Sequence, residues 1–397
     1  MSAGIRPRLR RSRSGSASGF STVAAVQGLA PPAVFFSYAD APERRAALAA
    51  PPGSLERYRL YGLDEVAARG VRVRHNLERQ SIPRWARLGD GVARSLVGAV
   101  GGYGGDFGSI LASLRVANTS DVIVSTVDRV GIPLILLANL GIVRRPIVYI
   151  AIGLPERLAQ LRGTAARRLY RRALRGTRVI LSYADSEVAW LRDWLGPGGP
   201  PVVFIPFGVD VHAFRAGHNA GGGVDVVSVG ADPQRDFKLL VAVAERQPEL
   251  SFHVVATEEW GRVLGKPPAN VSFESGLSLE QVRDRLAAAR VVALPVKPNS
   301  YSGATTVLLQ AMALAKPVVV SRTDAIATGY GLEDRTNCRL VEPGDSGAFE
   351  QALLETLADP GTLGARARET VELGFSWEHY TSALWKMLSC AWEPEPS

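Results

Sequence analysis

Residues 301–325 read YSGATTVLLQAMALAKPVVVSRTDA, a turn of small and hydroxyl-bearing residues at the head of an apolar helix that runs directly into a valine-rich strand. The apolar spacing predicts a helix starting at Ala304 or Thr305 and a strand from Pro317. Just before it, RVVALPV from Arg290 reads as a buried strand ending near Pro295, so VKPNSYSG is the loop joining strand to helix. Such a loop lies beyond the carboxyl end of a parallel strand, where open α/β sheets bind ligands. The unpaired N–H groups of the helix start and the hydroxyls of Thr305 and Thr306 face that space, and Gly303 lets a ligand approach the backbone. A helix terminus favours an anion by roughly 0.3–1 kcal/mol when exposed and up to ~2 kcal/mol when partly buried. The alternative is a plain strand-to-helix turn with Thr305 as the cap.

Outward from this stretch, strand-like and helix-like segments alternate along nearly the whole chain, the pattern of parallel sheets covered by helices. AVFFS from Ala33, VRVRH from Val71, DVIVST from Asp121, PIVYIAI from Pro146, RVILSY from Arg178 and VVFIP from Val202 predict one sheet. VDVVSVG from Val224, SFHVVAT from Ser251, NVSFES from Asn270, RVVALPV and PVVVSRT predict a second, after the glycine-rich break AGHNAGGG. The expected organisation is therefore a basic leader (1–30), an amino-terminal α/β domain (31–215), a linker (216–223), a carboxyl-terminal α/β domain (224–374) and a closing helix (375–397). In that last segment Trp377, Tyr380, Leu384, Met387 and Leu388 recur near helical spacing.

With 397 residues and 46% hydrophobic content, the chain is long enough for two ordinary cores. Its formal charge of +8 owes much to Arg6, Arg8, Arg10, Arg11 and Arg13 in the leader, whose Ser/Gly/Arg-rich composition predicts disorder. The leader lacks the apolar core of a secretory signal, and VGIPLILLANLGIV from Val130 is too short and too interrupted to span a bilayer, so a cytoplasmic protein is expected. Cys338 and Cys390 form neither a CxxC nor a Cys/His cluster, and no Asp-x-Asp pair offers a divalent metal a seat, so no metal is expected. GGYGGDFG at 101–108 has glycines but no preceding strand, and reads either as a ligand loop or as a plain loop before a helix near Ser109.

VVSVGADPQRDFKLLVAVAER from Val226 predicts a strand, a turn and a helix with Arg235 and Lys238 at its start. Cations there oppose the helix dipole unless an anion compensates. Taken singly, the two are ordinary surface charges. Paired with the helix start at Ala304, they would clamp one diphosphate from two sides.

FIPFGVDVHAF, SVGADPQRDFKLL, NVSFESGLSLEQVRDRLAAARVVALPV, SGATTVLLQAMALAKPVVVSRTDA and RLVEPGD, in that order and spacing, resemble the donor half of retaining nucleotide-sugar glycosyltransferases of the GT-B fold, the large family 4 group. The resemblance runs from about Phe204 to the end, and the amino half fits the usual layout of strands and helices. It implies two Rossmann-like domains facing across a cleft, the donor held by the second, and the final helix crossing back to the first. Arg235 falls on the family's phosphate-binding lysine, with Lys238 nearby. Ser302 and Gln310 fall on two glutamates that contact the donor sugar and the ribose, and the amino-domain histidine expected after PIVYIAI is replaced by GLPERL.

The resemblance thus implies a donor-binding set of Arg235, Lys238, Ser302, Gly303, Ala304, Thr305, Thr306 and Gln310, a nucleotide-diphosphate sugar as co-substrate, and a glycan, lipid-linked or small-molecule acceptor. No general acid or base is assigned, because the donor phosphate takes the acceptor's proton. Glutamine for a carboxylate at 310 costs about 1 kcal/mol of donor binding, and its carbonyl still accepts from a ribose hydroxyl. The shorter Ser302 implies an altered sugar preference or, as the alternative, a non-catalytic nucleotide-sugar-binding subunit of a glycan-assembly complex. A third class is a basic membrane or nucleic-acid adaptor.

Finally, RLAQLRGTAARRLYRRALRGTR, starting at Arg157, places Leu158, Leu161, Ala165 and Leu169 on one helical stripe with arginines around it. Residues 157–175 read either as an ordinary surface helix or as a helix lying on an anionic membrane surface, peripheral at the inner face. With Tyr170 the only aromatic in the run and no nucleic-acid module present, nucleic acid is not an expected partner.

Overall fold

The computed structural model describes residues 31–79, 81–218, 223–299, 301 and 303–392. The leader, Ser302 and residues 219–222 of the linker lie outside the described residues. Apolar, β-branched-rich runs form two six-stranded sheets. The first contains β1 (Ala33–Ser37), β2 (Arg72–His75), β3 (Val122–Ser125), β4 (Ile147–Ala151), β5 (Val179–Ser182) and β6 (Val202–Phe204), in the order β2-β1-β3-β4-β5-β6. The second contains β7 (Val224–Val229), β8 (Phe252–Val255), β9 (Val271–Glu274), β10 (Ala289–Leu294), β11 (Val318–Ser321) and β12 (Arg339–Val341), in the order β12-β11-β10-β7-β8-β9.

Every named pairing in both sheets is parallel. Strands such as AVFFS and IVYIA are buried along their full length, as sheets covered by helices on both faces require. The strand order reverses between β1 and β3 in the first sheet and between β7 and β10 in the second. Each reversal opens a crevice at the carboxyl ends of the strands.

The halves are joined by more than the chain. The final helix, Trp377–Trp392, packs Trp377, Tyr380, Leu384 and Leu388 into one apolar cluster with Val34, Phe36, Val148 and Ile150 of the first sheet. In the other direction, Leu55 on the 3₁₀ turn Leu55–Leu60 is buried in the cluster of the second half, and Leu279 N donates to Glu56 at 2.7 Å. The Tyr330 hydroxyl donates to the Tyr183 carbonyl at 2.7 Å, a further tie across the chain.

One expectation is corrected. Residues 157–175 do not form one helical stripe: they are the helices Leu154–Ala159 and Gly163–Arg175, separated by a turn that ends at Gly163 with φ 78°. Leu158 and Leu161 are buried in the core, and Ala166, Tyr170, Ala173 and Leu174 form the buried face of the second helix. The strand β12 was not foreseen. Gly101, Gly102, Gly104 and Gly105 pack against the protein and none lines the cleft, which fits the plain-loop reading: a Cβ on Gly101 would stand 2.6 Å from that of Arg162. No described helix is long and apolar enough to cross a membrane.

Candidate functional site

A cleft of about 710 Å³ opens between the carboxyl ends of the two sheets. Glu43, Arg44, Tyr58, Tyr61, Ile152 and Tyr183 line it from the first half, and Gly230, Asp232, Tyr301, Gly303, Thr305, Thr306 and Gln310 from the second. The second set comes from the loops after β7 and β10, the two strands flanking the reversal of order.

The helix Thr305–Ala313 begins at this wall, and its N-cap Ala304 is buried with no side-chain cap hydrogen bond. Thr305 is therefore the first helical residue and not the cap. The first-turn N–H groups have no carbonyl within the helix to bond. Gln310, one and a half turns on, is largely buried and presents its amide to the cleft.

Arg235 is 1% exposed, and among the described residues its Nε and Nη1 have no hydrogen-bond partner. Nη2 donates to the Val229 carbonyl at the end of β7. Burial pushes the guanidinium pKa down to about 10, against the pull of Asp232. The side chain fits beneath Gly230: a Cβ there would stand 2.2 Å from Arg235 Nε. The charge is thus stored directly under the cleft wall, with two donors unspent, in a position where a buried cation without an anion is costly.

Lys238 is exposed on the helix Phe237–Arg246 and, like Arg235, does not line the cleft, but unlike Arg235 it is not packed beneath the wall at Gly230. Asp236 supplies the anion at that helix start, accepting from Leu239 N at 3.2 Å. The structure therefore brings together Gly303, Thr305, Thr306 and Gln310 on the wall, with Ala304 and Arg235 behind it. Ser302 lies outside the described residues.

Sequence reasoning missed the tyrosines. Tyr301 donates to Asp232 Oδ1 at 2.6 Å, tying the loop after β10 to the loop after β7, and Gln234 N donates to the same oxygen at 2.7 Å. Across the cleft the Tyr301 ring lies against Gly153, where an added Cβ would meet it at 3.7 Å. Tyr58 donates to Asp210, and burial raises its pKa well above the usual phenol value. These pairs are 69 and 152 residues apart in sequence, and no local periodicity signals them.

Beneath the cleft floor the turn at Ile152 and Gly153 is held by two buried acids. Glu187 accepts from Gly153 N at 2.8 Å and from Ser182 Oγ at 2.5 Å. Asp128 accepts from the Tyr149 hydroxyl at 2.9 Å and faces Arg157 Nε at 3.4 Å. Burial pushes Glu187 up to about 8 and Asp128 up to about 7. Ile152, an apolar side chain, lines the cleft just before GLPERL, the segment where the resemblance leads one to expect a histidine.

Residues 226–359 match the family described as Glycosyl transferases group 1. A curated relative, MMP alpha-(1->4)-mannosyltransferase from Mycolicibacterium hassiacum, is 29% identical over 208 residues, covering 47% of this chain and 49% of that protein. The matched region thus spans about half the length of that relative.

Among solved structures, sucrose-phosphate synthase from Thermosynechococcus elongatus superposes with a TM-score of 0.67 at 19% identity, over 91% of this chain and 100% of that chain. HepE from Anabaena, solved in complex with UDP-glucose, gives 0.63 at 15% identity over 90% and 99%. The α,α-trehalose 6-phosphate synthase of Burkholderia multivorans gives 0.61 at 14% identity over 91% and 99%. The fold is the two-sheet α/β arrangement of GT-B glycosyltransferases.

Proposed function

We propose that the chain is a retaining glycosyltransferase that holds a nucleotide-diphosphate sugar against its second sheet and passes the sugar to an acceptor hydroxyl entering from the first. The observation that carries this reading is Arg235, a buried guanidinium with two unpartnered donors beneath the glycine wall of the cleft. The uncapped start of the helix Thr305–Ala313 lines the same cleft. A diphosphate supplies acceptor oxygens for the guanidinium and for the N–H groups of the first helical turn. The match of residues 226–359 to group 1 glycosyltransferases and the complex of HepE with UDP-glucose support the assignment of that anion to a nucleotide sugar.

In this reading the bond between the sugar's anomeric carbon and the diphosphate oxygen breaks, and the acceptor oxygen bonds to that carbon on the same face. The acceptor's proton passes to a donor phosphate oxygen, and the nucleoside diphosphate leaves. The protein orients the substrates and stabilises charge growing on the diphosphate through Arg235 and the N–H groups at Ala304, Thr305 and Thr306. Gln310 accepts from a ribose hydroxyl. No step is assigned to a metal.

The absence of a histidine from GLPERL, directly after the cleft residue Ile152, favours the second reading, a subunit that binds a nucleotide sugar without turning it over. Full-length protein offered a panel of nucleoside diphosphate sugars and candidate acceptors, followed by mass spectrometry, separates the two. Release of nucleoside diphosphate with a glycosylated product supports the enzyme, tight binding without turnover supports the subunit, and absence of binding to any donor contradicts both.

A further inference from the structure

The helix Arg84–Ala99 carries apolar side chains on a face that nothing in the described structure covers. Trp85 is 60% exposed, Leu88 73%, Val92 61% and Leu96 66%, and Val100 just beyond continues the row at 42%. At 100° per residue these five fall within an arc of about 120°. The helix is held to the protein along one flank of this arc: Ala86 and Val97 are buried just outside it, and Gly89, at its edge, lies so close to the helix Phe107–Asn118 that a Cβ would stand 2.8 Å from Leu111 Cδ1. The packing contact thus runs along the flank of the row, and Trp85, Leu88, Val92 and Leu96 themselves stay open.

Its electrostatic setting identifies the occupant. Residues 84–105 carry Arg84, Arg87 and Arg94 against one acid, Asp90. That carboxylate is engaged within the protein, accepting from Gly108 N at 3.1 Å and facing Arg94 at 3.6 Å. The end of the apolar row runs onto the arginine-rich helix Gly163–Arg175: Arg162 N donates to the Gly101 carbonyl at 3.1 Å, and the Tyr170 hydroxyl donates to the Tyr103 carbonyl. Arg162, Arg167, Arg168 and Arg172 are exposed there, and residues 162–176 contain no acid.

We infer that this face docks on an anionic lipid bilayer, with Trp85, Leu88, Val92 and Leu96 entering the headgroup–acyl boundary and the arginines of both helices meeting lipid phosphates. A tryptophan beside arginine, long exposed apolar side chains and a predominantly positive surround are the chemistry of an interfacial helix. A second copy of the chain fits poorly, because stacking row on row would bring the two arginine-rich helices together. This goes beyond the proposed function and does not rest on it. The bilayer contact centres on the apolar helix, with the arginine-rich helix as its electrostatic flank.

The test is sedimentation of the full chain with vesicles of phosphatidylglycerol and phosphatidylcholine, and with phosphatidylcholine alone. The parent should sediment with the anionic vesicles at low salt, less at high salt, and remain in the supernatant with the neutral ones. L88Q/L96Q, with its thermal melt unchanged because both positions are exposed, should lose at least tenfold in partition, about 1.4 kcal/mol. R167Q/R168Q/R172Q should weaken anionic binding and flatten its salt dependence. Both variants keep the leader arginines, so a loss cannot come from the leader. Retention of parent-level binding by L88Q/L96Q would overturn the inference, as would a parent that ignores anionic vesicles. A concentration-dependent dimer that L88Q/L96Q abolishes, with no vesicle binding, would overturn it in favour of self-association.

Discussion

Gly230 and Arg235 occupy one volume by agreement: the absent side chain of Gly230 is the space in which the Arg235 guanidinium lies, with an added Cβ falling 2.2 Å from Nε. The pair joins the end of β7 to the turn before the next helix. It explains how a fully buried cation comes to lie within reach of the cleft wall.

The first prediction follows from that fit. Gly230→Ala must displace the guanidinium and should destabilise the protein by about 1–3 kcal/mol, the usual cost of overpacking. In an R235A background the same change should cost well under half as much, so a double-mutant cycle by urea denaturation will show strong coupling. Additive effects would mean that the two residues do not share space.

Arg235 should also weigh on the stability of the unliganded protein. Its pKa falls to about 10 in the folded state, below the ordinary guanidinium value, because burial disfavours the charge. For a base with a depressed folded pKa the penalty is fully present below that pKa and is relieved only as pH rises through and above it. Across pH 6–9, Arg235→Met should therefore raise the melting free energy by about 1–3 kcal/mol, independently of pH. A melt lowered by this change would show that the arginine is a structural support.

The acids under the cleft floor carry an opposite pH signature. Glu187 and Asp128 hold their protons to about pH 8 and 7, whereas the unfolded chain releases them near pH 4–5. The unfolded state then binds fewer protons than the native one, so stability falls as pH rises from about 5 to 8 and levels off above. E187Q, which keeps an acceptor for Gly153 N and a donor for Ser182 Oγ, should flatten that slope and gain a few kcal/mol at most at pH 8. Melting curves at pH 5, 6.5 and 8 for parent and variant check the sign; an identical slope in both would contradict it.

The bond between Tyr301 and Asp232 should govern the loop after β10. Tyr301→Phe removes one hydrogen bond while Gln234 N still satisfies the carboxylate, so a loss of roughly 1 kcal/mol is expected. Faster amide exchange confined to the loops after β7 and β10 would be its signature. Unchanged exchange there would mean that ring packing against Gly153, rather than the hydroxyl, holds the loop.

Much of the fold is legible in the sequence because fully buried strands are short runs of valine, isoleucine and phenylalanine. AVFFS, IVYIA and VVVS declare themselves in this way. β12 does not, since Arg339–Val341 is three residues long and opens with a buried arginine that Glu355 pairs at 2.9 Å. Gly303, Thr305, Thr306 and Gln310 were legible as a strand-to-helix loop. The burial of Arg235 was not, because a cation beside a helix start looks the same in sequence whether it faces water or a glycine 5 residues upstream. Trp85, Leu88, Val92 and Leu96 have the spacing of a core-facing stripe. Only the tertiary structure shows Ala86 and Val97, on the flank of that stripe, doing the packing.

The central claim is that Arg235 holds the diphosphate of a nucleotide sugar. Titration calorimetry of the full chain with nucleoside diphosphates, parent against Arg235→Met, tests it most directly. The account predicts that at least one nucleoside diphosphate binds the parent and that the variant, though folded and more stable, loses about 1.5–3 kcal/mol of that affinity, roughly 10- to 150-fold. Equal affinity in parent and variant, or no nucleoside diphosphate bound by the parent, would contradict it.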